Sequence, residues 1–138
     1  MKELKARALR YLVRREHSRD ELARKLAPHA ESPEILEVLL RELESKKQLS
    51  NERFAEARAH QLARKYGAAR IRQDLKAKGI DNYPVSAAGE LERARAILAR
   101  KYREPATSRE EHARRARFLQ GRGFSYDTIR AVLAKGLE

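Results

Sequence analysis

The chain has 138 residues, 41% of them hydrophobic but only 6% aromatic and none tryptophan, so it is one domain's worth of chain or one short array of repeats with an aliphatic core. Its 32 basic and 20 acidic residues leave a net charge of +12, a balance that favours polyanionic partners such as nucleic acid, a nucleoprotein or an acidic protein surface. The absence of cysteine excludes disulfides and thiolate metal sites.

Residues 4–16 place Leu4, Ala8, Leu9, Tyr11, Leu12 and Val13 at a helical period. Ser18-Arg19-Asp20-Glu21 has the form of a capping box and opens a second helix, with Leu22 and Leu26 inward and Pro28 at its end. Ser32-Pro33 supplies a cap and a first-turn proline to a third helix that buries Ile35, Leu36, Val38, Leu39, Leu40 and Leu43. The cycle then repeats. Ser50 or Asn51 caps a helix running through Tyr66, with Phe54, Ala55, Ala59, Leu62 and Ala63 inward. A helix over about 68–78 carries Ile71 and Leu75 and stops at Gly79, and a short third helix is expected from near Pro84. The third round begins near Glu90 with Leu91, Ala94, Ile97 and Leu98 and closes near Tyr102. A second capping box, Ser108-Arg109-Glu110-Glu111, opens the next helix, and Ser125 caps a last one with Ile129, Val132 and Leu133 inward. No stretch alternates as a strand would. The pattern predicts nine helices in three triplets: an all-α chain of three tandem three-helix, helix-turn-helix-like repeats over 1–49, 50–89 and 90–138, forming an elongated, curved body.

The repeat has a signature, Leu-x-x-x-Gly-[Ile/Phe] with an apolar residue five places on. It occurs at Leu75–Gly79–Ile80 with Val85 and at Leu119–Gly123–Phe124 with Ile129. Leu26–Ala30–Glu31 with Leu36 keeps the spacing but not the glycine. The glycine takes positive φ at no Cβ cost, and the residue after it anchors the turn in the core, so these residues are assigned to architecture.

Charge is uneven. The three repeats carry +3, +4 and +5, yet Arg58, Arg64, Lys65, Arg70, Arg72, Lys76 and Lys78 are opposed locally only by Asp74, and Arg114, Arg115, Arg117 and Arg122 by no acid at all. Glu31, Glu34, Glu37, Glu42 and Glu44 instead make the third helix acidic. Arginine predominates in the cationic runs, which suits bidentate contacts to phosphate or carboxylate. The binding set expected from this pattern is Arg70, Arg72, Lys76 and Lys78 with Arg114, Arg115, Arg117 and Arg122.

Nothing in the sequence assembles a catalytic centre. His17, His29, His60 and His112 are scattered without ligand spacing and are expected at the surface or its boundary, so no metal or other cofactor is expected. Gly121-Arg122-Gly123 follows no strand and opens no Lys-Ser/Thr helix, and the serines sit where caps are needed. The chain is expected to be a binder rather than an enzyme. No segment has the roughly 20 apolar residues of a membrane span. Met1-Lys2-Glu3-Leu4-Lys5 lacks a signal-peptide pattern, which predicts a soluble cytoplasmic protein.

The run Gly67-Ala68-Ala69-Arg70-Ile71-Arg72-Gln73-Asp74-Leu75-Lys76-Ala77-Lys78-Gly79-Ile80 resembles the central signature of the bacterial RecX regulatory proteins. Arg117-Phe118-Leu119-Gln120-Gly121-Arg122-Gly123-Phe124-Ser125 with Ile129 resembles that family's C-terminal signature, Ala8 to Leu26 resembles its first repeat, and Asn51 to Ala55 its next helix start. The Asp81–Glu90 segment departs from the pattern, with a clipped third helix. The resemblance implies a cytoplasmic, non-enzymatic, monomeric modulator of RecA that binds the RecA–single-stranded-DNA filament. It would lower recombinase, ATPase and co-protease activity in homologous recombination, DNA repair and the SOS response, by occupying the filament groove or blocking extension. Single- or double-stranded DNA is a second implied partner. Two other readings stay open on the residues alone: a direct nonspecific nucleic-acid-binding helical protein, with Arg122, Tyr126 and Arg130 around its last turn, and a helical scaffold for an acidic protein.

Overall fold

The computed structural model describes residues 1–134; the end of the expected third repeat, 135–138, lies outside the described residues. Eight α-helices and a short 3₁₀ turn are present, and no strand occurs among the described residues. They are α1 (Lys2–Arg14), α2 (Arg19–Leu26), the 3₁₀ turn (Ala27–His29), α3 (Pro33–Ser45), α4 (Asn51–Leu62), α5 (Ala68–Ala77), α6 (Glu90–Lys101), α7 (Arg109–Gly121) and α8 (Tyr126–Ala134). The chain divides into two compact units, Met1–Arg58 with Leu75–Tyr83, and Ala59–Asp74 with the segment from Pro84 onward.

In the first unit, α2 packs against α1 and α3, and Leu4, Ala8, Leu22, Leu26, Leu39, Leu40, Leu43 and Leu49 form its core. Full burial of a leucine side chain stabilises a fold by roughly 2 kcal/mol, so this stripe dominates the unit. The expected caps form: Glu21 N–H donates to Ser18 Oγ at 3.1 Å and Ile35 N–H to Ser32 Oγ at 3.2 Å. Pro28 ends α2 by drawing the chain into the 3₁₀ turn. Two expected core residues turn outward. Val13 is 86% exposed and Val38 55%, because each sits one residue, about 100° of helix, off the stripe that its neighbours bury.

In the second unit, α6, α7 and α8 pack pairwise around Ala94, Ile97, Leu119, Phe124, Ile129 and Val132. Two expectations for the middle of the chain need correction. The helix from Ser50 ends at Leu62 rather than Tyr66, and no helix forms from Pro84. Pro84 disfavours helical backbone at Tyr83, and Ser86, Ala87, Ala88 and Gly89 are exposed, so no apolar stripe holds a helix there. The middle repeat thus contributes two helices.

Both glycine motifs close their helices in the same way. Ile80 N–H donates to Leu75 C=O at 2.9 Å and Phe124 N–H to Leu119 C=O at 3.2 Å, with Gly79 at φ +84° and Gly123 at φ +90°. The residue following is buried in one copy (Phe124) and half-buried in the other (Ile80). The weaker copy at Leu26 makes no such turn: Ala30 is extended, at φ −88° and ψ 140°. The first repeat instead uses the end of α3, where Gln48 N–H donates to Leu43 C=O at 2.8 Å, Lys47 adopts φ 61° and Leu49 is buried.

Candidate functional site

The site grows from a backbone stitch in the second unit. After α4 the chain turns through residues 63–65, and Gly67 N–H then donates to Arg122 C=O at 2.7 Å and Ala69 N–H to Gly123 C=O at 3.2 Å. A Cβ on Gly123 would overlap the Arg70 backbone, so only glycine permits this approach. The buried Glu90 carboxylate, at the start of α6, accepts from Ala68 N–H at 3.2 Å and so fastens the N-terminus of α5, where negative charge is favoured.

The stitch places Tyr66 among cations. The Arg70 guanidinium lies 4.8 Å from its ring centroid and that of Arg122 5.4 Å; Arg122 is also 5.1 Å from Phe118. Lys101, at the end of α6, sits 4.4 Å from Phe118. Backbone carbonyls hold the same cations: Arg70 donates to Gly121 at 3.0 Å, Arg122 to Lys65 at 3.3 Å and Arg100 to Arg64 at 2.8 Å. The result is a cleft of about 660 Å³ lined by Arg64, Lys65, Tyr66, Ile97, Arg100, Lys101, Phe118 and Arg122. A neighbouring hollow of about 560 Å³ is lined by His60, Ala63, Arg64, Arg93, Ala96 and Arg100. No carboxylate lines either, and none of these cations forms an ion pair among the described residues. Cations pinned on rings and carbonyls keep their full charge in a fixed geometry, which is what an anion-binding surface requires.

The expected binding set is only partly gathered here. Arg70 and Arg122 meet on Tyr66. Arg114 and Arg115 line a separate hollow of about 330 Å³ with Glu104 and Glu111, where Arg115 lies 4.4 Å from the Tyr102 ring and donates to Glu104 C=O at 2.7 Å. Arg72 and Arg117 are exposed. Lys76 and Lys78 belong to the first unit, where the charge of Lys78 helps keep the Glu21 carboxyl ionised.

The cleft's remaining residues had a readable signal that the charge count passed over. The pentapeptide Leu-Ala-Arg-Lys-Tyr occurs twice, at 62–66, where it begins on the last residue of α4 and forms the turn after it, and at 98–102, at the end of α6. These two copies supply Arg64, Lys65, Tyr66, Arg100 and Lys101.

The first unit uses its charges otherwise. Arg19 bridges Glu37 at 2.6 Å and Glu44 at 2.8 Å, Lys5 pairs with Glu42 at 2.9 Å, and Arg53 with Glu16 at 2.8 Å. Arg15 donates to Glu21 at 2.6 Å, and this bond holds the Glu21 carboxyl down at about 2. His17, expected at the surface or its boundary, is 2% exposed. Its Nδ1 donates to Arg15 C=O at 3.1 Å and its Nε2 accepts from Lys25 at 2.8 Å, so the ring is neutral, and burial pushes its pKa below the ordinary histidine value. Among the described residues no group of His, Asp and Glu has the arrangement of a metal site, and no helix is long and apolar enough to cross a membrane.

Comparison with known proteins finds matches along three successive segments of the chain. Residues 5–43, 50–88 and 88–133 match the family models described as the first, second and third three-helix domains of RecX. The chain is 49% identical to the regulatory protein RecX of Herbaspirillum seropedicae over 133 residues, covering 92% of this chain and 86% of that one. It is 46% identical to that of Leptothrix cholodnii over 136 residues, covering 94% and 87%. The crystal structure of RecX from Lactobacillus salivarius superposes with a TM-score of 0.82 at 21% identity, covering 97% of this chain and 94% of that chain, a likeness of fold.

Proposed function

The chain belongs to the RecX family of regulatory proteins, and from that membership we propose that it binds the RecA–single-stranded-DNA filament in the cytoplasm and restrains it. It acts by binding and performs no catalysis. One observation in the molecule supports this reading above others: the carboxylate-free cleft around Tyr66 and Phe118, whose cations are oriented by rings and carbonyls and are free for an outside anion. A nucleoprotein filament offers such anions in a regular array, both as DNA phosphates and as acidic side chains. Occupation of its groove or of its growing end then lowers strand exchange, ATP hydrolysis and co-protease activity together. Of the cations expected from sequence, Arg122 lines this cleft and Arg70 stacks on its Tyr66; Arg72, Arg114, Arg115, Arg117, Lys76 and Lys78 are proposed as auxiliary contacts.

The test is to add the protein at stoichiometric amounts to preformed RecA filaments on single-stranded DNA and follow ATP hydrolysis. Hydrolysis falls with the wild-type chain, and falls less when Arg70 and Arg122 are both replaced by alanine. An unchanged rate with wild-type protein sinks the reading.

A further inference from the structure

The two Leu-Ala-Arg-Lys-Tyr copies point beyond a generic basic surface. They lie side by side in the second unit: the Arg100 guanidinium donates to Arg64 C=O at 2.8 Å, and Arg64 and Arg100 line both the arginine-rich hollow and the aromatic cleft. The two depressions therefore adjoin along one pair of arginines. The hollow adds Arg93, whose guanidinium is fixed by a bond to Ala88 C=O at 3.1 Å and whose buried Nε has no partner, together with His60. The cleft adds Lys65, together with Lys101 and Arg122 on their rings.

We propose that these adjoining depressions form a track for the phosphodiester backbone of a single nucleic-acid strand, with one phosphate held by Arg64, Arg93 and Arg100 and the next by Lys65, Lys101 and Arg122. The duplicated Arg-Lys-Tyr unit offers a repeating cationic lining to a ligand whose charges repeat, and guanidiniums forked toward an oxyanion suit a tetrahedral phosphate. Two concave depressions of about 560 and 660 Å³ take a flexible strand, whereas a duplex presents a broad convex surface. A small phosphate ligand would need one enclosed pocket, not two open ones in series. The assignment rests on the reading that this cleft serves the RecA filament, and it specifies that the cleft touches DNA there.

The experiment measures binding of a fluorescent oligothymidylate to the full chain without RecA, as a function of salt. Replacement of Arg93 and Arg100 by alanine weakens binding about tenfold at low salt and lowers the slope of log K against log[salt] by about 0.7, the loss of one phosphate contact on a single strand. Lys101→Ala, which touches the second depression only, gives a comparable loss; helical circular dichroism verifies that each variant is folded. Three results overturn the track: no binding by wild type, an unchanged salt slope in both variants, or equal competition by polyglutamate or tripolyphosphate at matched charge. The RecA ATPase assay is run on the same variants. Suppression of RecA by a chain that shows no strand binding refutes the track and leaves the filament reading standing, and an inert chain that still binds strands does the reverse.

Discussion

Sixteen basic residues fall in each of the two compact units, against twelve acidic residues in the first and eight in the second. In the first unit the cations face acids: Arg19 spans Glu37 and Glu44, Lys5 meets Glu42, Arg53 meets Glu16 and Arg15 meets Glu21. In the second, those of the cleft face rings and carbonyls, as Arg70 and Arg122 do on Tyr66 and Lys101 does on Phe118, while Arg95 pairs with Glu92 at 3.4 Å. The repeat shows the difference at one aligned position. Where repeats two and three carry Leu-Ala-Arg-Lys-Tyr at or just past the end of their first helix, repeat one has Leu12-Val13-Arg14-Arg15-Glu16, and Glu16 accepts from Arg53. Surface ion pairs contribute little stability and satisfy a cation internally, whereas a cation on a ring stays available. The number of basic residues does not separate the two units; the number of acids and the partner of each cation do.

The largest expected effect breaks the second unit's side of this contrast. Gly123→Ala puts a methyl at φ +90° into the Arg70 backbone, which loses the stitch that sets Arg70 and Arg122 on Tyr66. We expect a loss of about 3 kcal/mol in urea unfolding. The Gly67 and Ala69 amides, which donate to Arg122 and Gly123, should exchange faster with solvent. Retention of their protection would separate the ring-stacked cations from the stitch.

Much of this fold was legible in the sequence, because helix starts and stops are local. Ser18, Ser32 and Ser108 cap as their spacing predicts, each accepting from the backbone three residues on. The leucine stripes and both glycine turns follow from period and from the unique tolerance of glycine for positive φ. The Pro84 helix failed because a start signal without an apolar stripe holds no helix against solvent. His17 was misplaced because a histidine looks alike in sequence whether solvated or buried; only the arrival of Lys25 and the Arg15 carbonyl decides. The site was half legible. An excess of arginine is visible in composition, but which arginines meet depends on Gly67 and Gly123 touching across 56 residues of chain. The doubled pentapeptide was the available clue, and it carries meaning only once Tyr66 and Tyr102 are seen under guanidiniums.

A smaller effect sharpens the first unit's side of the comparison, through the acid dependence of its buried histidine and its paired carboxylate. His17 has its folded pKa below the unfolded one, chiefly through burial. The unfolded chain therefore takes up the proton first, and stability present above the unfolded value near 6.5 is lost as pH falls below it. Glu21 acts lower. Held at about 2 by its bond to Arg15, it contributes stability above its ordinary value that is lost as pH falls toward 2, roughly 1 kcal/mol once the half-exposed Arg15 is discounted for solvent screening. Urea midpoints from pH 8 to 3 should decline in these two steps. His17→Gln removes the upper step and Arg15→Ala the lower. If both variants keep the wild-type profile, the acid-sensitive groups lie elsewhere.

The smallest effect tests whether the three turns are one device. Lys47, after α3, takes the backbone role that Gly79 and Gly123 take after α5 and α7, at φ 61°, with Gln48 N–H donating to Leu43 C=O as Ile80 does to Leu75. A left-handed lysine costs about 1 kcal/mol relative to glycine, partly offset because glycine gives the unfolded chain more freedom to lose. Lys47→Gly should therefore stabilise the chain by about 0.5 kcal/mol, read as a higher urea midpoint at constant slope. The lysine side chain is exposed and forms no ion pair among the described residues, so its removal subtracts no contact that could mask the gain. A stabilised variant would place the backbone device in all three repeats, with glycine a preference in the first and a necessity at Gly123, where Arg70 leaves no space for a Cβ. A destabilised one would mean that the first repeat's turn depends on lysine itself, and the likeness of its hydrogen bonds to the other two would carry no energetic weight.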